Sequence, residues 1–525
     1  MPTLWRHWVA YWLVTALGLL ALSHPAPARA ESGIGLRDVL SLALQMNVDT
    51  QVSQQAIRSA QGQLQQAQGR FDPVLGSDLS RAHDNTPLGT AQSAGFQALG
   101  INPPSNQVID ATAYGVSAQR TLMNGMQAGA GFSVAAAENS LEQKLDIPSQ
   151  LIGKLAFTLR VPLARNAGRA TVGAEVDASN AESAAARAEL EHTNASILLQ
   201  TTSAFWLWLA SARQLAISEA AEQRLEDLVH EMQRLIEAGE TPRADIELVL
   251  ASRAERRAQR ITAQQVASEA RVALANLMGL PPARSAELGQ PAQDFPKLRA
   301  LPATQDPAPL VERALTRRAD LEAARQRNEA AHYRANAAVA NLKPQVDLDL
   351  RLSYTGLAED TSQFALDDSL ENLTGPSVGA SLSVQWPWAN LSAKGTELTA
   401  AAGWDAASIR QRDLGQTIAY TVPVAWLALM RAGAQLQEGA EAVNRYTITL
   451  KNEQTKRRLG KSTVIDLINI EDRLNTSLQN EIGLRQQYAI AIARLRFELG
   501  TLVRREGDQF EVAVAALLGS DPLGD

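Results

Sequence analysis

The stretch Gly239-Glu-Thr-Pro-Arg-Ala-Asp245 has a counterpart 221 residues further on, Gly460-Lys-Ser-Thr-Val-Ile-Asp466. In both stretches a glycine is followed at once by residues that favour the start of a helix. This pattern is typical of one helix that ends and a second helix that turns back. Gly279 and Gly500, at the same spacing, follow the returning helix. The chain is therefore predicted to contain two copies of one helical hairpin.

The duplication extends upstream of the hairpins at a spacing of 271 residues, where it pairs Asp49 with Asp320 and Pro73 with Pro344. Two unrelated alanine-rich helical segments would share alanines by chance, but hardly prolines and aspartates. We expect a first copy at 31–280 and a second at 310–500. The linker between them, 281–309, contains seven prolines and is predicted to be extended. A tail follows at 501–525.

Each copy is predicted to run helix, strand, loop, strand, very long helix, tight turn, helix. A helix over 170–236 would be about 100 Å long at 1.5 Å per residue, far beyond a globular domain. Pro423 falls inside the second long helix and predicts a kink or break there. The expected elements are strands 74–82 and 153–163, helix 170–236, turn 239–242 and helix 243–278 in the first copy, and strands 346–354 and 379–388, helix 390–458, turn 460–463 and helix 464–499 in the second.

Leucine-rich seams follow the helices on both sides of each turn, with steps of three and four residues that are typical of coiled coils. The seam residues are Leu225, Leu228, Met232 and Leu235 in the first copy and Leu467, Ile470, Leu474 and Leu478 in the second.

The strand candidates alternate strictly between apolar and polar residues, so one face of the sheet is apolar. A half-buried sheet in a soluble sandwich and a membrane barrel both give this alternation. Asn124-Gly125, within 114–134, indicates a two-residue hairpin that has no counterpart in the second copy. The polar segments 83–112 and 355–376 are expected to be exposed loops.

The first thirty residues carry a basic Arg6, an apolar run from Trp8 to Leu22 and the ending Ala28-Arg29-Ala30. This pattern is typical of a cleavable secretory signal, since a membrane-spanning helix needs about 20 apolar residues. No later stretch reaches that length. We expect an exported mature chain without a transmembrane helix.

Composition excludes several functions. The chain has no cysteine, which rules out disulfides, thiolate chemistry and a lipid-modified N-terminal cysteine, so no lipoprotein is expected. Its formal net charge of −7 gives no support to nucleic-acid binding. The histidines of the mature chain are isolated, and Gly460-Lys461-Ser462 lacks the upstream glycine of a phosphate-binding loop. We expect no enzyme, no cofactor and no metal site.

The order of these features resembles one family, the TolC-like outer-membrane efflux and secretion channel proteins. The resemblance covers nearly all of 36–500 and is carried by the signal, the duplicated unit, Pro73 and Pro344, the segments 157–169 and 382–387, and the two glycine turns. It implies an α+β membrane protein. Three copies would share one transmembrane β-barrel, continuous with a long α-helical coiled-coil barrel that forms a periplasmic tunnel.

The resemblance also implies the function. The protein would be the outer-membrane channel of a tripartite efflux pump or a type I secretion system in a Gram-negative bacterium. Its partners would be a periplasmic adaptor (membrane fusion) protein, an inner-membrane RND or ABC transporter, and outer-membrane lipid. The alternative is an exported periplasmic coiled-coil structural or adaptor protein without a pore.

Three sets of site residues follow from the alternation and the resemblance. Asp466, expected one and a half turns into its helix, and Asp245 are candidates for an acidic constriction, with Asn469 where a second acid would stand. The alternative for both aspartates is a simple charge interaction with the helix dipole. The residues expected to face lipid are Leu155, Phe157, Leu159, Val161, Leu382, Val384 and Trp386, and those expected to dock the adaptor are Gly239, Thr241, Gly460, Lys461, Ser462 and Thr463.

Overall fold

The computed structural model describes residues 33–239, 242–243, 245–299, 306–359, 375–506, 509–512 and 514–518. The expected signal at 1–30, Thr241 of the first turn and most of the loop expected at 355–376 lie outside these residues. The chain divides into two compact units. The first comprises Met1–Val52, Glu191–Arg318 and Thr417–Asp525, and the second comprises Ser53–Leu190 and Ala319–Gln416.

Helices make up most of the described chain. They are α1 (Leu36–Met46), α2 (Val48–Gly69), α3 (Thr90–Ala98), α4 (Ser140–Gln143), α5 (Arg169–Val172), α6 (Ala174–Glu237), α7 (Asp245–Leu277), α8 (Ala308–Arg317), α9 (Ala319–Ala340), α10 (Leu391–Arg458), α11 (Val464–Glu498) and α12 (Val514–Leu517), with a 3₁₀ helix at Pro282–Leu288.

The strands form two antiparallel sheets. Six strands lie side by side in chain order, and a small hairpin of β7 and β8 follows the last long helix. Their bounds are β1 (Val74–Pro87), β2 (Asn106–Thr121), β3 (Gln127–Asn139), β4 (Gln150–Pro162), β5 (Gln345–Glu359), β6 (Ser377–Gln385), β7 (Val503–Glu506) and β8 (Gln509–Val512).

The first unit is built around an apolar core that joins α1 and α12 to the middle of α6 and to the C-terminal parts of α7 and α11. Its largest buried side chain is Trp206 of α6, which stacks on Phe295 of the linker with ring centroids 5.8 Å apart. Leu36 and Leu40 of α1 and Met278 after α7 complete the centre of this core. The prolines of the linker therefore do not keep it away from the core, because Phe295 anchors it there.

The two coiled-coil seams meet in one apolar cluster in the first unit. The cluster joins helices α6, α7, α10 and α11, so the seams pack against each other. Its buried members are Leu225, Leu228, Val229, Met232, Val249, Leu450, Leu467, Ile468 and Leu474, with Leu235, Ile470 and Leu478 partly buried beside them.

The helix containing Pro423 is not broken. Helix α10 runs without interruption from Leu391 to Arg458, so the break, one of the two outcomes expected at Pro423, is wrong. Proline removes one backbone donor, yet Val422 and Trp426 on either side are buried. Burial of these neighbours offsets the lost hydrogen bond.

The sheet of the second unit contains four strands from the first copy and only two from the second. The hairpin predicted around Asn124-Gly125 is present as β2 and β3, and it lies between β1 and β4, so the first copy has two strands more than the second. The segment expected as a loop at 83–112 instead completes β1, forms α3 and begins β2. The hairpin turn is also longer than the two residues expected: Thr121 pairs with Gln127, which leaves Leu122–Met126 between the strands.

Four helices of the second unit lie side by side. Leu64 and Ala67 of α2 pack with Val176 of α6. Arg334 of α9 binds Glu175 of α6 at 3.1 Å. Two further contacts join α9 to α10: Asn328 Nδ2 donates to Gln411 Oε1 at 2.9 Å, and the rings of His332 and Trp404 are 4.6 Å apart. The order of the layer is therefore α2, α6, α9, α10.

Among the described residues, no helix combines the length and the hydropathy that crossing a membrane would need.

Candidate channel wall and helical tip

One face of the six-stranded sheet carries the residues that the sequence assigns to lipid. Cross-strand neighbours share a face, and the register pairs Val161 with Leu348, and Leu348 with Leu382. Leu155, Phe157, Leu159 and Val384 lie on the same face by alternation and pairing, while Trp386 follows the end of β6. In the single chain Leu382 and Val384 are 62% and 64% exposed, and Trp386 is 70% exposed. An apolar surface of this extent marks a contact with lipid or with another protein.

The opposite face of the same strands is polar. Arg160 of β4 and Asp349 of β5 are cross-strand partners and form an ion pair at 2.7 Å. Ser381 and Ser383 of β6 lie on this face, opposite Asp349 and Asp347. The sheet therefore has one side suited to an apolar medium and one side suited to water.

The second-copy turn is a tightly closed connection between α10 and α11. Gly460 has φ +70°, and the N–H of Lys461 donates to the carbonyl of Lys456 at 2.9 Å. Thr463 is the N-cap of α11. Its Oγ1 donates to Asp466 Oδ2 at 2.6 Å, and the Asp466 N–H donates to Thr463 Oγ1 at 3.2 Å. This reciprocal capping satisfies backbone donors at the helix start.

A second carboxylate, that of Glu453 near the end of α10, also contacts this turn. Glu453 accepts a hydrogen bond from Ser462 Oγ at 2.5 Å and pairs with Lys456 at 3.0 Å. The hydrogen bond from the Ser462 hydroxyl has the largest effect and lowers the pKa of Glu453, and the hydrogen bond from Lys456 lowers this pKa further. The hydrogen bonds from Thr463 lower the pKa of Asp466. Both carboxylates are therefore charged at neutral pH, and Ser462 and Thr463 have a structural role in the turn.

The first-copy turn is built differently. Gly239 has φ +77°, like Gly460, but Pro242 stands in the position of Thr463 and has no hydroxyl for capping. Helix α7 begins at Asp245, whose side chain lies outside the described residues. The backbone reversal is shared by the two copies, and the side-chain capping is described only in the second.

Asp466 lies closer to the turn than the sequence indicated. It is the third residue of α11, so the expected position of one and a half turns into the helix is wrong. Residues 460–462 belong to the turn and Thr463 is the N-cap, so the helix begins only at Val464. Asp466 and Asn469 are both exposed and one helical turn apart. They therefore offer an acid and an amide on one side of the helix start.

We call the two glycine turns, at Gly239 and Gly460, and the helix ends beside them the tip. Arginines that sequence reasoning missed connect the helices near this tip. Within the first hairpin, Arg253 and Arg260 of α7 bind Glu226 and Glu222 of α6 at 3.0 and 2.5 Å. Arg256, between them, binds Asp472 of α11. These arginines are three and four residues apart in the sequence, so they lie on one side of α7. That spacing could have predicted a charged contact face on this helix.

A further ion pair and a buried acid lie across the two hairpins. Arg457 of α10 binds Glu231 of α6 at 3.3 Å. Burial raises the pKa of Glu471, and nearby arginines oppose the rise. Beside this group lies an open groove of about 1250 Å³ whose lining includes Met232, Gly460 and Ile465. The tip thus combines exposed turns, a groove and a network of charges.

These two sites, together with the helical layer, define an α+β channel fold. Residues 310–501 match the outer membrane efflux protein family. No curated protein matches the chain in sequence. The resemblance to TolC-like outer-membrane channels is confirmed by the family match and by the solved structures of similar fold.

Two of these solved structures are outer-membrane channels and a third is an outer membrane protein. The outer-membrane channel OprN has a TM-score of 0.61 at 19% identity, over 89% of this chain and 90% of that chain. The outer membrane protein VceC from Vibrio cholerae has a TM-score of 0.60 at 18% identity, over 89% and 96%. The CmeC outer membrane channel of Campylobacter jejuni has a TM-score of 0.61 at 13% identity, over 89% and 85%.

Proposed function

We propose that this protein is the outer-membrane channel of a tripartite efflux pump or a type I secretion system, and that it works as a homotrimer. The observation that carries the proposal is the six-stranded sheet with one apolar face, exposed along β6 and at Phe157 of β4, and one polar face. Such a sheet has its apolar side toward lipid and its polar side toward a water-filled pore.

The edges of the sheet support assembly from several copies. Strands β1 and β6 each pair with one neighbour, and every residue of both strands is exposed. An open edge in lipid leaves backbone groups without partners at a cost of several kcal/mol each. Pairing of β6 of one chain with β1 of the next removes every open edge once the ring closes.

The outer helices of the same unit support the same arrangement. Helix α10 is at one end of the layer and exposes Leu398 and Ile409 to about two thirds of their full area. Helix α2, at the other end, is mostly exposed as well. Contact between α10 of one chain and α2 of the next would cover the apolar side chains on α10.

The tip is the proposed docking site for a periplasmic adaptor, which in turn binds an inner-membrane RND or ABC transporter. Gly239, Gly460 and Lys461 are exposed, and a β-carbon added at either glycine would meet no described atom within 4 Å. Ser462 and Thr463 shape the turn, and Thr241 corresponds to Ser462 in the first copy. An exposed turn beside an open groove provides a surface on which a helical partner can dock.

Asp466 is the proposed acidic group of the constriction, with Asp245 in the other copy and Asn469 one turn on. Asp466 can take part in the helix cap with Thr463 and also serve in the constriction, because hydrogen bonds from Thr463 lower the pKa of Asp466 and keep it charged. Three symmetry-related carboxylates near one axis attract cations.

Cell fractionation tests the proposal. The full chain with its own N-terminus should be found in the outer-membrane fraction, as a trimer that survives mild detergent and dissociates on heating. A soluble periplasmic protein without a trimer would instead support the coiled-coil structural or adaptor protein and would overturn the channel.

A further inference from the structure

The hairpin of β2 and β3 is the largest difference between the two copies. In the second copy β5 pairs directly with β6, whereas in the first copy β1 and β4 are separated by the hairpin. An inserted hairpin can be a surface decoration or a full part of the sheet. Its pairing, its side-chain pattern and its anchoring decide between these two roles.

The pairing of the hairpin is continuous. Strand β2 forms fourteen residue pairs with β1 and thirteen with β3, and β3 forms eleven with β4. With 16 and 13 residues, β2 and β3 exceed the roughly 9–11 residues that a tilted strand needs to cross a bilayer. The hairpin is long enough to span, and its neighbours hold it in register along its length.

The side chains of the hairpin continue the two faces of the sheet. Val116 pairs with Phe132, and Phe132 pairs with Leu155 of the face assigned to lipid. On the other face Ser117 pairs with Gly131. In this stretch the hairpin continues both faces, which indicates that it meets the same two media as its neighbours. Closer to α3 the same face carries Arg81 of β1 and the pair of His83 with Asp110 of β2 at 2.8 Å, so the apolar band ends there.

The turn of the hairpin is fixed at the helical end of the unit. The Gly168 N–H, where α5 begins, donates to the carbonyl of Asn124 at 2.9 Å. Arg120 Nε donates to the Phe71 carbonyl at 3.1 Å, where α2 gives way to β1. Gly125 has φ +92°, and a methyl group there would lie 2.1 Å from the Asn166 carbonyl oxygen. Gly125 packs directly against the segment between β4 and α5, which leaves no room for a side chain.

Strands about 4.8 Å apart and tilted by about 40° occupy about 6.3 Å each along the rim of a barrel, which sets the circumference for a given number of strands.

We propose that the hairpin of β2 and β3 is part of the membrane wall, so that three chains close one barrel of eighteen strands rather than twelve. This inference rests on the proposed trimeric channel. The backbone diameter is then about 36 Å rather than about 24 Å. With about 10 Å subtracted for inward side chains, the lumen is roughly 25 Å rather than 14 Å across. The outer-membrane part of the channel therefore admits solutes the size of an extended polymer or a small folded peptide.

Cysteine accessibility tests where the hairpin lies, because the chain has no cysteine of its own. The test pair is Val116→Cys and Ser117→Cys on β2, and the matched control pair is Leu382→Cys and Ser383→Cys on β6. In intact outer membranes a small, water-soluble maleimide should modify Ser117→Cys and Ser383→Cys at least tenfold faster than Val116→Cys and Leu382→Cys.

The control pair separates the two ways in which the proposal can fail. Equal, fast modification of both β2 positions, with discrimination kept on β6, would put the hairpin outside the bilayer and overturn the eighteen-stranded barrel alone. Loss of discrimination on β6 as well would overturn the proposed channel and this inference with it.

Polymer exclusion gives a second, independent measurement on the unmodified protein. In a planar bilayer, polyethylene glycol with a diameter of about 20 Å, added on the extracellular side, should enter the lumen estimated above and lower the single-channel conductance. Exclusion of all polymers wider than about 14 Å would fit twelve strands and contradict the proposal.

Discussion

In both copies the residue that follows the first helix contacts the C-terminal end of the last helix, and we call this contact the corner. Its chemistry differs between the copies. In the first copy Asn47, after α1, donates from Nδ2 to the carbonyl of Leu277 at 2.9 Å. In the second copy Arg318, after α8, occupies the matching place and binds Glu498 at 2.6 Å. Glu498 is 3% exposed and also accepts from Thr421. A backbone corner can thus be kept while its buried polar contact changes from neutral to charged, provided that every buried group finds a partner.

The same comparison separates what the two copies must share from what they need not share. Both contribute two neighbouring helices to one layer, so the paths of their helices agree. The number of strands differs, with four in the first copy and two in the second. A hairpin can be inserted between two strands because each of its own strands pairs with one of them, so no strand edge is left open. The capping of the turns differs as well, with Thr463 in one copy and Pro242 in the other.

The largest effect is expected in the wall, where an apolar and a polar face alternate in both copies. Leu382→Arg should block outer-membrane assembly, since an arginine in the bilayer midplane costs about 2–4 kcal/mol in each of three chains. Ser383→Arg, on the polar face, should be tolerated, and heat-modifiable trimer on gels measures both. An equal response of the two variants would contradict the assignment of the faces.

The corner comparison predicts the next largest effect. Glu498→Ala removes the buried carboxylate that pairs with Arg318 and Arg494, and should destabilise the chain by about 3–5 kcal/mol. Asn47→Ala, the matched change in the first copy, should cost only about 1–2 kcal/mol. Thermal unfolding of the detergent-solubilised trimer, followed by circular dichroism, provides the comparison. Similar shifts in Tm would show that the ion pair is not the stronger contact.

Exchanging Pro423 with its first-copy counterpart Thr202 tests the uninterrupted helix. Pro423→Thr restores a backbone donor in α10 and should stabilise the chain, by up to about 2 kcal/mol. Thr202→Pro introduces the same defect into α6 and should destabilise it by about 3 kcal/mol. A loss of stability in Pro423→Thr would mean that surrounding residues have adapted to the proline.

The two turns should respond alike to a bulky residue at their shared glycine. Gly460→Val and Gly239→Val force a β-branched residue into a left-handed conformation, at a cost of about 1–2 kcal/mol. Export should be lost while the trimer level in the membrane stays unchanged. Gly460→Asn, which tolerates this conformation, separates backbone strain from crowding of the adaptor. Loss of the trimer itself would show that the glycines serve folding alone.

The smallest expected effect on folding, and the most specific effect on conduction, concerns Asp466. Asp466→Asn should reduce cation selectivity and block by multivalent cations in single-channel recordings, and Asn469→Asp should increase both. Asp245→Asn should follow in the same direction. An unchanged current in Asp466→Asn would remove this residue from the constriction.

The pH dependence of the same carboxylate has a definite sign. Because its pKa is lowered below the ordinary aspartate value of 3.8, Asp466 remains charged as the pH falls through that value. The stabilisation of the turn by Thr463 is present above pH 3.8 and is lost as the pH falls through the lowered pKa. Cation selectivity of the wild type should therefore persist at pH 4.

Sequence reasoning succeeded where the signal is local and strong. The glycine turns, the long helices between them and the apolar side of β4 and β6 are all read from spacings of a few residues. It predicted the hairpin of β2 and β3 from Asn124-Gly125 but did not place it in the sheet, because runs such as Ala128-Gly129-Ala130-Gly131 offer little contrast between the faces. It failed for 83–112, because polar strand ends and a short helix have the composition of a loop.

The sequence by itself determined the duplication, the periodicity of each element and the side of each strand that is apolar, because these depend on neighbouring residues in the chain. Only the tertiary structure decided that β1 and β4 are separated by a hairpin and that Arg256 meets Asp472, 216 residues away. Strand order and long-range ion pairs depend on which elements pack together. That choice is made by the free energy of the whole fold and leaves no periodic pattern in the sequence.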